Sequence, residues 1–423
     1  MYKLYRILSY GAIPFALVRI LYKGMKLPQY RQRIAERFGV VKFEHLDRSL
    51  WIHAVSVGEV MTTIPVIKGL KEYFPEIPIV VTTTTPTGSR LVEKALKNKV
   101  YHTYLPYDVP FFVKKFITHI NPIGFIVTET ELWPSIFFEL SEKNIPIFVI
   151  NGRISPRSFK NYLKVKRFIK DVLSRCKYIL VQNQEYKTRF LRLGAREEQV
   201  IITGNIKFDV PINKDLVEKG GKVKHEAFKG KRIIVGASTH EGEEKILLDV
   251  YSQLIKTKEN LVLLLVPRHP ERFLSVYNLI KSYGLTVHKR SDSLLPFKKE
   301  IQVYLGDSMG EMMMYYAMGD IAFVGGSFVK VGGHNFLEPA AVELPIISGP
   351  NVFNFQEIAT MLADKGGLKI VKSKKELQDT ILDLLSNRKK RDTMAKAAKE
   401  IAERNRGGLQ KTLNIILSEL KNV

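Results

Sequence analysis

The feature that most constrains the fold is an alternation, repeated twice, of short apolar runs rich in β-branched residues with helical stretches such as 59–73 and 131–142. In the first half these runs lie at 51–57, 77–84, 123–128, 145–150, 178–182 and 199–203. In the second half they lie at 232–237, 261–266, 301–305, 321–324, 344–348 and 368–371. Strands that alternate with helices form parallel sheets covered on both faces. We therefore predict an α/β protein with two Rossmann-like, doubly wound domains.

A polar, Gly- and Lys-rich stretch at 209–231 separates the two series and predicts a linker near 209–215. The expected division is a first domain at 31–209 and a second at 210–423, preceded by a separate segment at 1–30. Ligands of doubly wound sheets bind beyond the carboxyl ends of the strands. Two such domains facing each other would place a site in the cleft between them, so polar residues at strand ends are the main candidates.

The N-terminal segment is basic and apolar at once. Residues 1–40 contain eight Lys or Arg and a single acid, Glu36, and they include an uncharged run from Ile7 to Val18. This run is shorter than the ~20 residues that cross a bilayer, and no small-residue cleavage site follows it. Its aromatic and basic flanks predict a segment that lies on an anionic membrane surface. The alternative is a helix packed on its own domain.

Net charge, cysteine content and the absence of certain motifs restrict which partners and cofactors the protein can have. The formal net charge is +24, which favours an anionic partner: nucleic acid, membrane or phosphorylated substrate. The only cysteine, Cys176, excludes a disulfide framework and a cysteine zinc site. The sequence contains no clustered metal ligands, no G-x-x-x-x-G-K-[ST] and no G-x-G-x-x-G after a strand. We therefore predict no metal, no P-loop and no nicotinamide cofactor.

Acidic and basic residues follow the predicted strands of the first half. Glu59 opens a helix after the first strand, and a capping role alone would explain it. Glu129 and Glu131 follow the third strand, where capping does not readily explain two carboxylates. Lys207 lies just beyond the sixth strand, and either a cleft-facing or a solvated lysine fits that position.

The second half shows the same arrangement. Arg268 and His269 follow a fully apolar strand, a position that suits an anionic ligand. The turn 306–311 leads into a helix start, where backbone N–H groups could bind phosphate. A further helix start is expected near Asn335, with Glu338 placed to accept from a ribose diol. His240 taken alone is more typical of a structural histidine.

At these positions the sequence resembles a known family, the 3-deoxy-D-manno-oct-2-ulosonic acid (Kdo) transferases. The motifs that carry the resemblance include HAVSVGE (53–59), TETELWP (128–134), GNIKFD (204–209), VPRHPERF (266–273), GDSMGE (306–311) and GGHNFLEPAA (332–341). The resemblance implies a GT-B fold, a CMP-Kdo donor and a lipid A precursor (lipid IVA) as acceptor. It also implies inversion without a metal or cofactor, at the cytoplasmic face of the inner membrane.

The resemblance also implies roles for individual residues. Glu59 would be the general base, and Glu129 and Lys207 would stabilise the transition state. The residues that would bind CMP are Arg268, His269, Met309, Gly310, Glu311, Asn335, Phe336, Leu337 and Glu338.

Two other readings stay open. A different GT-B enzyme of envelope synthesis would use a UDP-sugar donor. A nucleic-acid-binding protein would present basic residues among exposed aromatics on one face, whereas the basic excess here is concentrated beside the N-terminal apolar run. The sequence does not predict how many Kdo residues are added, nor the oligomeric state.

Overall fold

The computed structural model describes residues 1–257, 260–293 and 300–421. The chain forms two compact units: the first unit comprises Met1–Asp209 with Arg406–Val423, and the second unit comprises Val210–Asn405. The assignment of 406–423 to the second domain is therefore wrong, and the segment 1–30 is part of the first unit rather than separate from it.

The first unit is built on a parallel sheet of seven strands in the order β3-β2-β1-β4-β5-β6-β7. Its strands are β1 Ser49–His53, β2 Ile79–Thr83, β3 Tyr101–Tyr104, β4 Pro122–Thr128, β5 Ile147–Gly152, β6 Tyr178–Val181 and β7 Val200–Ile202. Its helices before the chain leaves the unit are α1 Tyr2–Gly11, α2 Ile13–Lys26, α3 Val57–Tyr73, α4 Pro86–Leu96, α5 Pro110–Ile120, α6 Pro134–Glu142, α7 Pro156–Lys164, α8 Lys166–Leu173 and α9 Gln184–Leu193.

The second unit has a parallel sheet of the same size in the order β10-β11-β9-β8-β12-β13-β14. Its strands are β8 Arg232–Thr239, β9 Leu261–Pro267, β10 Val287–Lys289, β11 Val303–Leu305, β12 Ile321–Val324, β13 Ile346–Ser348 and β14 Leu368–Ile370. Its helices are α10 Lys214–Ala227, α11 Glu243–Leu254, α12 Phe273–Ser282, α13 Met312–Met318, α14 Leu337–Ala341, α15 Gln356–Asp364, α16 Lys374–Ser386 and α17 Arg388–Arg404.

The prediction of two doubly wound parallel sheets is confirmed. Two edge strands, β3 and β10, were not predicted. The helix expected at 131–142 begins only at Pro134, whose fixed φ suits the first helical position. Part of the stretch expected to be a linker forms α10, which Asn213 caps by accepting from the Leu216 backbone N–H.

Strand order creates one topological switch point in each sheet. In the first unit the chain moves from β1 to β2 and β3, then returns to β4 on the other side of β1. In the second unit it likewise returns to β12 on the other side of β8. Loops that follow the strands flanking such a point diverge and leave a crevice at the carboxyl edge. The residues just after β1, β4, β8 and β12 are therefore the best placed to bind a ligand.

The last helix, α18 (Gly408–Leu420), explains why the chain returns to the first unit. It packs on α3 and on one face of the sheet of the first unit. The aliphatic side chains that it buries there are Leu413, Ile416, Leu417 and Leu420. Each such burial contributes roughly 1.5–3 kcal/mol. Asp209 fixes the start of this segment by accepting from the backbone N–H groups of Gly407 and Leu409.

The N-terminal helices combine a packed side with an exposed apolar side. The Tyr2 ring stacks on Phe138 with centroids 3.7 Å apart, and the Tyr5 hydroxyl donates to Asp108 Oδ2 at 2.7 Å. The exposed apolar side chains include Leu4, Ile7, Leu8, Phe15, Val18 and Leu21. Within the described residues no single helix is long and apolar enough to cross a membrane, whereas α1 and Ile13–Met25 together meet that test with a bend of 48°.

Candidate active-site residues

Glu59 lies in the first turn of α3, just beyond the end of β1. Its carboxylate accepts from the Val55 backbone N–H at 2.7 Å and from the Ser56 hydroxyl at 3.0 Å, so it ties the turn before α3 to the first turn of the helix. The residue is 8% exposed. Burial raises its pKa to about 7, and the negative charge of Glu129 adds to this shift. A carboxylate that gains and loses a proton near neutral pH is suited to general acid–base chemistry.

Glu129 follows β4, on the other side of the switch point, and has the unusual backbone φ of 62°. Arg153 Nε donates to its Oε2 at 2.8 Å, and Lys207 Nζ lies 3.7 Å from its Oε1. The structure thus brings together Lys207 and Glu129, two residues to which the resemblance assigns a shared role. Arg153 was not among the predicted residues. It directly follows β5, and a charged residue just after a strand is the pattern that identified the other candidates.

Glu131 completes a cluster of three carboxyl groups in the first unit. Its pKa is raised to about 8. Burial is the main cause, and the negative charges of Glu59 and Glu129 contribute to the same shift. The sequence indicated this residue, but no role was assigned to it. Glu129 thus forms ion pairs with both Arg153 and Lys207, and beside it lie two carboxyl groups whose pKa values are raised to near neutral pH.

Arg268 and His269 lie at the end of β9, as predicted, and both are exposed. The Arg268 backbone N–H donates to Thr239 O at 3.0 Å, which joins the ends of β9 and β8. The His269 ring centroid lies 5.2 Å from that of His240, the residue that follows β8. The structure therefore unites the predicted pair with a histidine that the sequence suggested was only structural.

The segment 335–338 begins α14. Asn335 Oδ1 accepts from the Leu337 backbone N–H at 3.0 Å, and Asn335 Nδ2 donates to Glu338 Oε1 at 3.2 Å. Burial raises the pKa of Glu338, and the positive charge of Arg268 acts in the opposite direction. The side chains of Phe336 and Leu337 are buried in the protein. Any contact of these two residues with a ligand would therefore use their backbone.

The turn that contains Met309, Gly310 and Glu311 follows β11, the neighbour of β9 in the sheet. The Glu311 carboxylate accepts from Lys219 Nζ at 3.2 Å, from Arg290 Nη2 at 3.0 Å and from the Ser308 hydroxyl at 2.6 Å. Burial raises the pKa of Glu311, but these hydrogen bonds outweigh it and the net shift is downward. The carboxylate therefore holds the turn in shape, while the side chain of Met309 is exposed.

In residues 1–257, 260–293 and 300–421, no group of three or more His, Cys, Asp or Glu side chains is arranged to hold a metal ion.

Two doubly wound units, each with charged side chains at its switch point, are the architecture of the GT-B fold, and the family models place the chain among the glycosyltransferases that have it. Two family models match it: "3-Deoxy-D-manno-octulosonic-acid transferase (kdotransferase)" over residues 32–210 and "Glycosyl transferases group 1" over residues 222–401. A 3-deoxy-D-manno-octulosonic acid transferase from Haemophilus influenzae is 40% identical over 406 residues, which is 95% of each chain. The chain belongs to the 3-deoxy-D-manno-octulosonic acid transferase family, and Kdo transfer is the activity that this membership supports.

Solved structures also match. The UDP-GlcNAc 2-epimerase from Neisseria meningitidis is 14% identical with a TM-score of 0.51, and the match covers 89% of this chain and all of that one. At this identity the likeness shows the fold alone. The C-terminal CMP-Kdo binding domain of WaaA from Acinetobacter baumannii is 30% identical with a TM-score of 0.41, and the match covers 48% of this chain and 99% of that one.

Proposed function

We propose that the chain transfers Kdo from CMP-Kdo to a lipid A precursor, with inversion at the anomeric carbon and without a metal. The observation that carries the proposal is Glu59, a buried carboxylate with a pKa of about 7 beside the ion-paired Glu129. Family membership supplies the transferred sugar, and the resemblance supplies the nucleotide and the acceptor.

Glu59 acts as the general base. It takes the proton of an acceptor hydroxyl, whose oxygen forms a bond to the anomeric carbon of Kdo. The bond between that carbon and the phosphate oxygen breaks on the opposite face, and CMP leaves with the electron pair. Attack opposite the leaving group inverts the configuration. Burial supports this role because it disfavours the charged form of Glu59 and so makes the carboxylate a stronger base than an exposed one.

Lys207 supplies positive charge where negative charge develops, and Glu129, which is itself fixed by Arg153, holds it in place. The ammonium group lies 3.7 Å from Glu129, and its side chain is 26% exposed, so it can still reach a ligand. Preorganised charge of this kind stabilises a transition state because no reorientation is needed during the reaction.

The second unit binds the donor. Arg268 and His269 bind the phosphate, and Glu338 accepts a hydrogen bond from a ribose hydroxyl group. Without a metal, the charge of the leaving phosphate has to be met by side chains such as Arg268, and a planar guanidinium suits a phosphate. The exposed position of Arg268 leaves it free to do so.

The N-terminal helices dock the protein on the anionic cytoplasmic face of the inner membrane, where a lipid acceptor resides. Their exposed apolar side chains stand beside basic residues such as Lys3, Arg6 and Arg19. A helix with this composition lies in the headgroup region, and basic residues near the surface add about 1 kcal/mol each.

Mass spectrometry of the product formed from CMP-Kdo and a tetraacylated lipid A precursor tests the proposal. We expect a mass increase of one or more Kdo residues, unaffected by EDTA. UDP-sugars are assayed in parallel. Product from a UDP-sugar alone would replace the donor in this proposal, and a strict requirement for Mg²⁺ or Mn²⁺ would contradict the metal-free mechanism.

A further inference from the structure

Two histidines that the proposed mechanism leaves without a role meet at the switch point of the second unit. His240 follows β8, and His334 lies in the loop between β12 and α14, so they come from the strands that flank the crevice. Their Nε2 atoms are 2.8 Å apart, and their rings are parallel with centroids 5.1 Å apart. Both side chains are partly exposed. The pair therefore faces the part of the sheet edge where ligands of doubly wound folds bind.

The backbone around the pair is fixed by one buried carboxylate. Glu243, in the first turn of α11, is fully buried and accepts from the backbone N–H of His240 at 2.9 Å. It also accepts from the N–H groups of Gly326, Ser327 and Phe328 at 2.7–2.9 Å. Four hydrogen bonds to one carboxylate tie the end of β8 to the loop after β12. The two imidazoles are therefore held on a backbone that is already ordered.

Glycine at position 326 lets the ring of His334 approach the backbone. Gly326 has φ +68°, and a Cβ built there would lie 3.0 Å from Cδ2 and Nε2 of His334. A larger residue at this position would push the imidazole away from His240. The loop is thus shaped around the ring of His334.

The hydrogen bond between the histidines has a chemical consequence. At 2.8 Å one Nε2 carries a hydrogen and the other offers its lone pair, so the pair presents one N–H that can be redirected. Burial lowers the pKa of His334 to about 3, and the charges of Arg268, His240 and His269 disfavour its protonation as well. The pair is therefore neutral, with the Arg268 guanidinium acting on the His334 side and the carboxylates of Glu243 and Glu244 acting on the His240 side.

We propose that His240 and His334 bind the phosphate of the nucleotide donor, together with Arg268. A phosphate oxygen replaces the accepting imidazole nitrogen, and that imidazole then adopts its Nε2–H tautomer, so that both Nε2–H groups and the guanidinium donate to the anion. This inference rests on the proposed function, since it names the atoms that recognise the phosphate of a nucleoside monophosphate sugar.

Comparison of CMP with cytidine isolates the phosphate contact. Binding of each to the full chain is measured by calorimetry for the native protein, for His240→Phe and for His334→Phe. Phenylalanine keeps an aromatic ring but has no N–H. We expect CMP affinity to fall about 10- to 100-fold in each variant, as for loss of a hydrogen bond to a charged group, and cytidine affinity to stay within about twofold.

The control is His225→Phe, the same change at an exposed position on α10, which should alter neither affinity. Glutamine variants at 240 and 334 retain a side-chain N–H and should recover part of the lost CMP affinity, and they replace any phenylalanine variant that does not fold. If a phenylalanine variant does not fold, the glutamine variant at that position supports the inference when it loses part of its CMP affinity and binds cytidine as the native protein does.

Three results would overturn the inference: unchanged CMP affinity, equal loss of CMP and cytidine affinity, or loss confined to intact CMP-Kdo. The last would place the histidines at the sugar rather than at the phosphate. A native chain that binds neither CMP nor CMP-Kdo would instead remove the donor assignment itself, so the two failures are distinguishable.

Discussion

Replacement of Glu59 by glutamine separates a catalytic base from a helix cap. The amide is similar in size to the carboxylate, and its carbonyl can still accept from the Val55 N–H while its NH₂ group donates to the Ser56 hydroxyl. Most of the hydrogen bonding that holds the turn before α3 is therefore retained. The variant loses the ability to take a proton, and loss of a general base costs about 10²–10⁴ in rate.

The effect on stability follows from the pKa. Burial raises the Glu59 pKa from 4.5 to about 7, so the folded state holds this proton more tightly than the unfolded state does. The associated stability is complete below pH 4.5 and is lost as the pH rises to about 7. At 1.36 kcal/mol per unit, the ionised carboxylate costs the folded protein about 3 kcal/mol at pH 8. Glutamine never ionises and avoids this cost.

We therefore expect Glu59→Gln to be inactive and, at pH 8, more stable than the native chain by up to about 3 kcal/mol. Denaturant unfolding at pH 5 and pH 8 measures the stability difference, and turnover of CMP-Kdo measures the rate. The gain should shrink toward pH 5. A variant that unfolds more easily at pH 8, by the 0.5–2 kcal/mol of a lost cap, yet keeps most of its kcat would refute the reasoning.

Three further changes test the remaining assignments. Arg268→Ala should weaken CMP-Kdo about 10- to 100-fold and leave the acceptor KM unchanged; a raised acceptor KM alone would place Arg268 outside the donor site. Lys207→Ala should lower kcat about 10²–10³-fold with CMP affinity intact, and weaker CMP binding with normal kcat would argue for a ground-state contact instead. Tyr5→Phe removes a hydrogen bond to the buried Asp108 carboxylate and should cost about 1.5–3 kcal/mol in denaturant unfolding, whereas a freely mobile anchor helix would give no change.

The sequence predicted the central strands because residues buried on both faces of a sheet form continuous apolar runs. The edge strands β3 and β10 have no such run, whereas the other two edge strands, β7 and β14, fall within the predicted runs at 199–203 and 368–371. β3 begins with the exposed Tyr101 and the partly exposed His102, and β10 is the half-buried sequence Val-His-Lys. An edge strand is covered less completely, so its residues are freer to be polar and its pattern resembles that of a loop.

The sequence predicted which residues lie at the site, but it did not predict the contacts between residues that are distant in sequence. Glu59, Glu129, Lys207 and Arg268 follow strands, and the strand-end rule together with the family resemblance identified them. The rule could not indicate that Arg153 donates to Glu129, since that contact depends on the pairing of β4 with β5. The contact between two histidines 94 positions apart depends in the same way on β8 lying beside β12.

The prediction that residues 406–423 belong to the second domain was wrong for a similar reason. Residues 408–420 have an ordinary amphipathic pattern, and such a pattern indicates that a face is buried but not which sheet it covers. In the structure α18 covers α3 and the sheet of the first unit, where Leu413 lies against Gly69 of α3 and Leu420 lies against Gly124 of β4.

The return of α18 makes the second unit an insertion within the first, because the chain crosses between them after Asp209 and again after Asn405. During synthesis the sheet of the first unit emerges from the ribosome before the second unit, but α18, which packs beside α3 on one face of that sheet, emerges only after the second unit. The nascent first unit therefore has an uncovered aliphatic surface while almost two hundred further residues are made and fold. Its completion depends on the insertion having folded compactly enough to bring both of its ends back to the same place.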